Sequence, residues 1–375
     1  MSRKLHILFL PHWYPSRVHR TNGNFIQRHA EVVAMQHRVS VLYVVADPLL
    51  RTKYETEYAV QNNVATYIVY FKASSNTFVR IVHKIMAYKT GLKRIEKFDL
   101  IHLNVIHYYG LIALYYKIIK GIPYVITEHW TRWNESTIAG RELLIYRLIA
   151  AKASYLLPVC TKLGENMRRK GLKTCQVTIP NSVDGSIFFN KARSHSQLIL
   201  LHISTLNDKQ KNISGILQVI KRIALTGKYD FELHIGGDGD LTPINKFRDK
   251  NKLQAFIQTF GELSPEGVAA KMRESSIFVM FSIQENQPCV INEAFACGLP
   301  VIATDVGGIS EFFPDNFGIL VQRGDEDGLY RAITACLEGL TFASPENISA
   351  YAFATFEKAV IASKFHDVYT KTLYD

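Results

Sequence analysis

Two carboxylates, Glu285 and Glu293, stand eight positions apart in QENQPCVINEAFACGLPVIATDVGGISE, residues 284–311. Pro288 between them suits the first turn of a helix, where its missing N–H would have had no partner anyway. The helix then runs through CVINEAFAC and stops at Gly298, a favourable C-cap, with Pro300 barring its continuation. Its amino end lies in the loop Glu285–Asn286–Gln287, with Cys289 and Val290 in the first turn. Backbone N–H groups and the positive end of the helix dipole gather there, a ready site for a diphosphate. Glu285 can reach a sugar attached to that phosphate. Glu293, nearly two turns along, is placed to accept hydrogen bonds from a ribose diol. Taken alone, the pair reads better as a helix cap and an ordinary solvated acid, since acids are common on helices.

The surrounding chain supplies elements that would position such a site. Apolar runs of strand length alternate with amphipathic stretches: KLHILFLP, NFIQRHAEVVAMQH, RVSVLYVVAD, then FDLIHLNV, HYYGLIALYYKIIKG and IPYVITEHW. Strand–helix–strand alternation with near-continuous apolar strands predicts parallel sheets covered on both faces. The pattern breaks into a polar connector near residues 181–196 and restarts at LILLHIST. Two Rossmann-like, doubly wound units are expected, residues 1–185 and 186–350, facing across a cleft. The tail, residues 351–375, is expected to return as helix onto the first unit. Strand carboxyl ends in such sheets carry the ligand sites.

With 375 residues, 47% of them apolar and 21% charged, the chain is a globular protein large enough for two cores. Its five cysteines are an odd number with no C-x-x-C pair, so neither a disulfide framework nor a zinc site is suggested. A reducing cytoplasm is the expected location. The first apolar run, LHILFL, is too short for a signal peptide, and no apolar stretch reaches the roughly 18 residues of a membrane span. Charge is unevenly spread. Residues 1–185 hold 26 basic and 11 acidic side chains, whereas residues 186–375 hold 18 and 22. The basic half points to an anionic partner.

The full string E-x-x-P-x-x-x-x-E-A-x-A-x-G-x-P-V-I-A-T-x-x-G-G resembles the signature of retaining, nucleotide-sugar-dependent glycosyltransferases of the GT-B architecture, family 4 type. The resemblance implies an α/β fold of two Rossmann-like domains, with the acceptor on the first and a UDP- or GDP-sugar on the second. It implies that Glu285 contacts the transferred sugar and Glu293 the ribose. In STLNDKQKN, Lys211 fits the lysine that holds the diphosphate, while Thr205 stands where the family has an arginine. IGGDGDL resembles the glycine-rich turn that approaches the nucleotide, with Gly236, Gly237 and Gly239. GELSPE resembles the loop that meets the base, near Glu262 and Leu263. In the first domain, Gly23 fits the loop after the first strand and His129 the active-site histidine. Asp238-Gly239-Asp240 spells a D-x-D metal motif, but enzymes of this kind need no bound metal, so none is expected. The resemblance further implies front-face attack, with the leaving phosphate taking the acceptor proton.

TFVRIVHKIMAYKTGLKRIEKF places Phe78, Val82, Ile85, Tyr88, Leu92 and Ile95 at helical spacing, with Arg80, Lys84, Lys89, Lys93, Arg94 and Lys97 on other faces. One reading is a helix that covers its own sheet and leaves its charge in water. The other is docking on an anionic membrane, at about 1 kcal/mol per basic residue near the lipid. Arg168, Arg169, Lys170 and Lys173 could join that surface. The protein would then attach to the inner face of the cytoplasmic membrane and use a lipid-linked acceptor.

Competing classes fit less well. A nucleotide-sugar epimerase would use the same donor grip without an acceptor. A non-catalytic nucleotide-binding protein would have no use for Glu285. A glycosidase needs two acids facing the sugar, and only Glu285 does so here. No G-x-G-x-x-G follows the first strand, which argues against a dinucleotide dehydrogenase. No groove-reading or base-stacking motif suggests nucleic acid as a partner.

Overall fold

HILFLP forms the first strand, β1 (His6–Pro11), with all six residues buried. A strand buried on both faces needs apolar side chains throughout, which is why this run shows no alternation. A computed structural model describes residues 4–135, 137–192 and 197–374, which divide into two units.

The first unit contains β1, β2 (Arg38–Asp47), β3 (Tyr54–Gln61), β4 (Val64–Lys72), β5 (Leu100–Asn104), β6 (Tyr124–Glu128) and β7 (Tyr155–Pro158). Their order in the sheet is β3-β4-β2-β1-β5-β6-β7. All neighbours are parallel except β3 and β4. That edge hairpin departs from the all-parallel expectation. Asn62 and Asn63 join its strands at φ of 48° and 63°, the positive values a tight two-residue turn requires. The unit's helices are α1 (Asn24–Ala34), α2 (Thr77–Leu92), α3 (Gly110–Lys120), α4 (Gly140–Ala151) and α5 (Thr161–Arg169).

The second unit has a six-stranded parallel sheet: β8 (Leu198–Ser204), β9 (Phe231–Gly237), β10 (Ile257–Phe260), β11 (Ile277–Met280), β12 (Val301–Thr304) and β13 (Gly318–Val321). Its helices are α6 (Asp208–Lys211), α7 (Ile213–Ala224), α8 (Thr242–Lys250), α9 (Pro265–Arg273), α10 (Cys289–Ala296), α11 (Glu326–Leu337) and α12 (Pro345–Phe356). One core lies between the sheet and α7, α8 and α11, and another between the sheet and α9, α10 and α12.

The units divide at Pro180/Asn181, not at residue 185, and the tail is split between them. Asn181 is hydrogen-bonded to Gln287 and Asn292, and the Val183 N–H donates to the Phe356 carbonyl at 2.8 Å, so the connector already belongs to the second unit. Helix α12 stays with that unit because Ile348, Ala352 and Phe356 pack into its core. Only α13 (Lys358–Tyr374), from Ala359 onward, joins the first unit. There Phe365 and Tyr369 cover His102, whose Nδ1 is 2.7 Å from the Tyr369 hydroxyl. Among the described residues, no helix is long and apolar enough to cross a membrane.

Helix α2 does not cover its sheet in the way one of its two readings required. Tyr88 is buried, but Phe78, Val82 and Ile85 point to solvent.

Candidate functional site

In the second sheet, β8 lies between β9 and β11, so the chain leaves it first toward one edge and later toward the other. The loops after β8 and β11 therefore lie side by side at this switch point, at the strands' carboxyl ends where such sheets bind ligands. Lys211 closes α6 in the first loop, and Glu285 lies in the second. The Lys211 ammonium donates to Glu285 Oε1 at 2.5 Å, with side chains only 13% and 8% exposed. Charges so withdrawn from water are stable only as a pair, since losing one strands the other. Further hydrogen bonds hold the loops in step. The Ile283 N–H donates to the Gln210 carbonyl at 2.8 Å, and the Gln210 carboxamide donates to the Gln284 carbonyl at 3.4 Å.

The Gly-Gly turn after β12 has a direct purpose. A Cβ on Gly307, which sits at φ +64°, would lie 2.0 Å from the Glu285 carbonyl oxygen. The Gly308 N–H donates to the Asn286 carbonyl at 2.9 Å. The turn is thus pressed against the backbone of Glu285 and Asn286 and fixes its path. Asn286 and Gln287 are both buried. The Gln287 side chain accepts from the Asn181 N–H at 2.9 Å and donates to Asn292 Oδ1 at 2.8 Å. Asn292 Nδ2 donates in turn to the Asn181 carbonyl at 2.9 Å. Gln287 therefore spends its side chain on holding the loop. Asn181 and Asn292 are supporting residues that the sequence reading missed, and Asn181 lies 106 positions from Gln287, beyond any local signal.

Helix α10 begins at Cys289. Pro288 is extended, at φ −73° and ψ 123°, so it precedes the first turn instead of occupying it as expected. The far end is as anticipated: Gly298 adopts φ +67°, with N–H bonds from Gly298 to Phe295 and from Leu299 to Ala294 closing the helix. Cys289 and Val290 are half-buried in the first turn. Glu293 is buried, not a solvated acid.

The glycines at the end of β9 and just past it fit closely against the sheet. Cβ atoms on Gly236, Gly237 and Gly239 would lie 2.1, 2.0 and 2.6 Å from the carbonyl oxygens of Phe260, Ser204 and Thr205. Their small size is required by the neighbouring strand ends. Thr205 is exposed just past β8, and Leu263 is half-buried after β10. Both loops lie on the same carboxyl edge as Lys211 and Glu285. The Asp240 carboxylate accepts from the Thr242 N–H at 2.8 Å, which commits it to the start of α8.

Gly23 and His129 belong to the first unit. Gly23, at φ +79°, starts α1, and a Cβ there would lie 2.4 Å from the Trp13 carbonyl. His129 follows β6 and packs its ring 4.6 Å from Phe25 and 5.2 Å from His29. Burial holds its pKa well below the ordinary histidine value, so it is neutral. Beside it, Glu128 is fully buried and accepts backbone N–H bonds from Ile106, His129 and Trp130 at 2.8–2.9 Å. Burial pushes its carboxyl up to about 7 despite those donors. Glu128 joins the loops after β5 and β6, a role that sequence inspection did not assign.

Solved structures share this fold over nearly the full chain. Sucrose-phosphate synthase from Thermosynechococcus elongatus matches with TM-score 0.75 at 17% identity, covering 98% of this chain and 99% of that one. HepE from Anabaena, solved with UDP-glucose, matches with TM-score 0.73 at 16% identity, covering 98% and 100%. Residues 24–186 match the family Glycosyltransferase Family 4, and residues 197–339 match Glycosyl transferases group 1. The chain belongs to the GT-B glycosyltransferases. This glycosyltransferase is 29% identical to an uncharacterized glycosyltransferase of Methanocaldococcus jannaschii over 73% of its own length and 76% of the other's. It is 28% identical to one component of the human phosphatidylinositol N-acetylglucosaminyltransferase over 69% of its length, and spans about half of that component, 54%.

Proposed function

We propose that this glycosyltransferase moves a sugar from a nucleoside-diphosphate donor to a glycan or lipid-linked sugar acceptor, with retention at the anomeric carbon, in surface polysaccharide assembly. The observation that carries this reading is the Lys211–Glu285 pair at the switch point between β8 and β11, beside the amino end of α10. It is supported by HepE, solved with UDP-glucose, and by the human relative, whose named activity glycosylates a lipid.

In the step envisaged, the bond from the anomeric carbon to the diphosphate oxygen breaks while an acceptor hydroxyl attacks from the same face. The hydroxyl proton passes to the departing phosphate, and the new glycosidic bond completes the exchange. Negative charge grows on the diphosphate, where Lys211 and the α10 dipole oppose it. Glu285 orients the sugar, and Glu293 holds the ribose. With that charge met by the chain's own groups, no resident metal is needed. On this reading the reaction runs in the cytoplasm, and a lipid-linked acceptor would be met at the inner face of the cytoplasmic membrane.

A panel of UDP-, GDP- and ADP-sugars tests this by thermal stabilisation, followed by product analysis in excess EDTA. One donor should raise the melting temperature of the native chain and yield an α-linked product. Stabilisation by none, inversion at the anomeric carbon, or epimerised donor without acceptor would each overturn the reading.

A further inference from the structure

Helix α2 is inside out. Asn76 caps its start by accepting the Phe78 and Val79 N–H groups, so the helix is well defined from Thr77 onward. Its inward face is made of small residues and one aromatic: Ala87, Gly91 and the buried Tyr88. A Cβ on Gly91 would lie 2.3 Å from the Leu42 side chain, so the helix rests on the sheet through its smallest residue. The larger apolar side chains, Phe78, Ile81, Val82, Ile85 and Met86, face water instead, with Phe78 74% and Ile85 60% exposed. A soluble surface rarely exposes so many contiguous large apolar groups without a use.

The neighbouring helices extend this surface. Strand registers place Leu42, Val69 and Leu103 on one face of the first sheet, opposite α1 and α13. Gly91 of α2 meets Leu42 and Val69, and Gly110 of α3 meets Leu103 and Ile149 of α4. Tyr88 stacks on Tyr109, which precedes α3, at 6.1 Å. The three helices therefore form one layer. Its outward side also carries exposed Ile118, Ile119, Leu144 and Leu148.

Charge names the occupant. Neither α2 nor α3 contains a single Asp or Glu, while Arg80, Lys89 and Lys120 stand exposed on them. The one acid of α4, Glu142, is held by both guanidinium nitrogens of Arg132 at 3.0 Å. Large apolar side chains among basic ones, on helices whose single acid is already held, suit a hydrocarbon boundary beneath anionic headgroups. We infer that the outer face of α2, continued by α3 and α4, docks on an anionic bilayer by inserting its apolar side chains. This goes beyond the reaction proposed above and holds for any acceptor.

The test is sedimentation of the full chain with vesicles of phosphatidylcholine alone or with about one-third phosphatidylglycerol, read beside nucleotide-sugar stabilisation of the same samples. The native chain should bind the anionic vesicles. F78S/I85S, which keeps every charge, should bind about tenfold or more weakly, while K89Q/K120Q should lose the preference for anionic lipid. L225S, at an exposed leucine of the second unit, should change nothing. F78W should give indole fluorescence quenched by brominated acyl chains. Absence of vesicle binding, equal binding by F78S/I85S, or an unquenched indole would overturn the inference. So would a dimer of the native chain that F78S/I85S dissociates, since a second copy would then own the face. Donor stabilisation retained in all variants shows that the catalytic reading stands or falls separately.

Discussion

Lys211 and Glu285 lie 74 positions apart in the chain, yet their side chains meet at 2.5 Å in a setting almost closed to water. Each supplies the counter-charge that lets the other remain there. In the reaction proposed above, the same two groups serve the donor, the ammonium at the phosphate and the carboxylate at the sugar.

Lys211→Met should therefore act twice. It leaves the Glu285 carboxylate without its partner, at a cost of roughly 3 kcal/mol, and slows transfer about 10–100-fold. Adding Glu285→Leu should restore much of the stability, because both charges are then gone, while turnover stays lost. Urea melts beside donor turnover separate the two effects. A double variant as unstable as Lys211→Met alone would refute the pairing argument.

Gly307 tests how closely the β12 turn must approach. Gly307→Ala places a methyl group against the Glu285 carbonyl at a positive φ, so both contact and backbone conformation oppose it. We expect a loss of about 1–3 kcal/mol and a rise in KM for the donor as Glu285 and Asn286 shift. Gly324→Ala, at φ +72° with open space around it, should show the conformational cost alone and leave KM unchanged.

Asn292→Leu removes the side chain that links Gln287 to Asn181. Two buried polar partners then lack a hydrogen bond, costing roughly 1–3 kcal/mol. The loop 285–288 should loosen, seen as faster amide hydrogen exchange there with the sheet unaffected.

Glu128 predicts a pH signature. Its carboxyl titrates near 7 when folded because burial penalises the charge, but near its ordinary value of 4.5 when unfolded. The folded state binds the extra proton between those values, so this group's stabilisation is complete below 4.5 and lost as pH rises through 7. Glu128→Gln should abolish that component. Subtracting its stability profile from the native one isolates the effect from the buried histidines His29 and His129, whose lowered pKa values work in the opposite sense. A flat difference between pH 4.5 and 7 would show that Glu128 is ionised in the fold.

Much of this protein was legible in one dimension. Buried strands such as HILFLP, the stop at Gly298 and the pairing of a strand end with a helix start are local matters, set by side-chain hydrophobicity and by which residues tolerate a given φ. The divergence into two units and the candidate acids followed from such signals. Partners across the fold did not: Asn181 with Gln287, Gly307 with the Glu285 backbone, and Glu128 with Ile106 depend on strand order, which no local spacing encodes. Helix α2 shows the limit most plainly. Periodicity established that Phe78, Val82 and Ile85 share a face, but a helix has two sides, and the sheet took the one where Ala87 and Gly91 allow the backbone to come close. Sequence settles which residues stand together along a helix; only the packed neighbour settles whether they meet a core or the world outside.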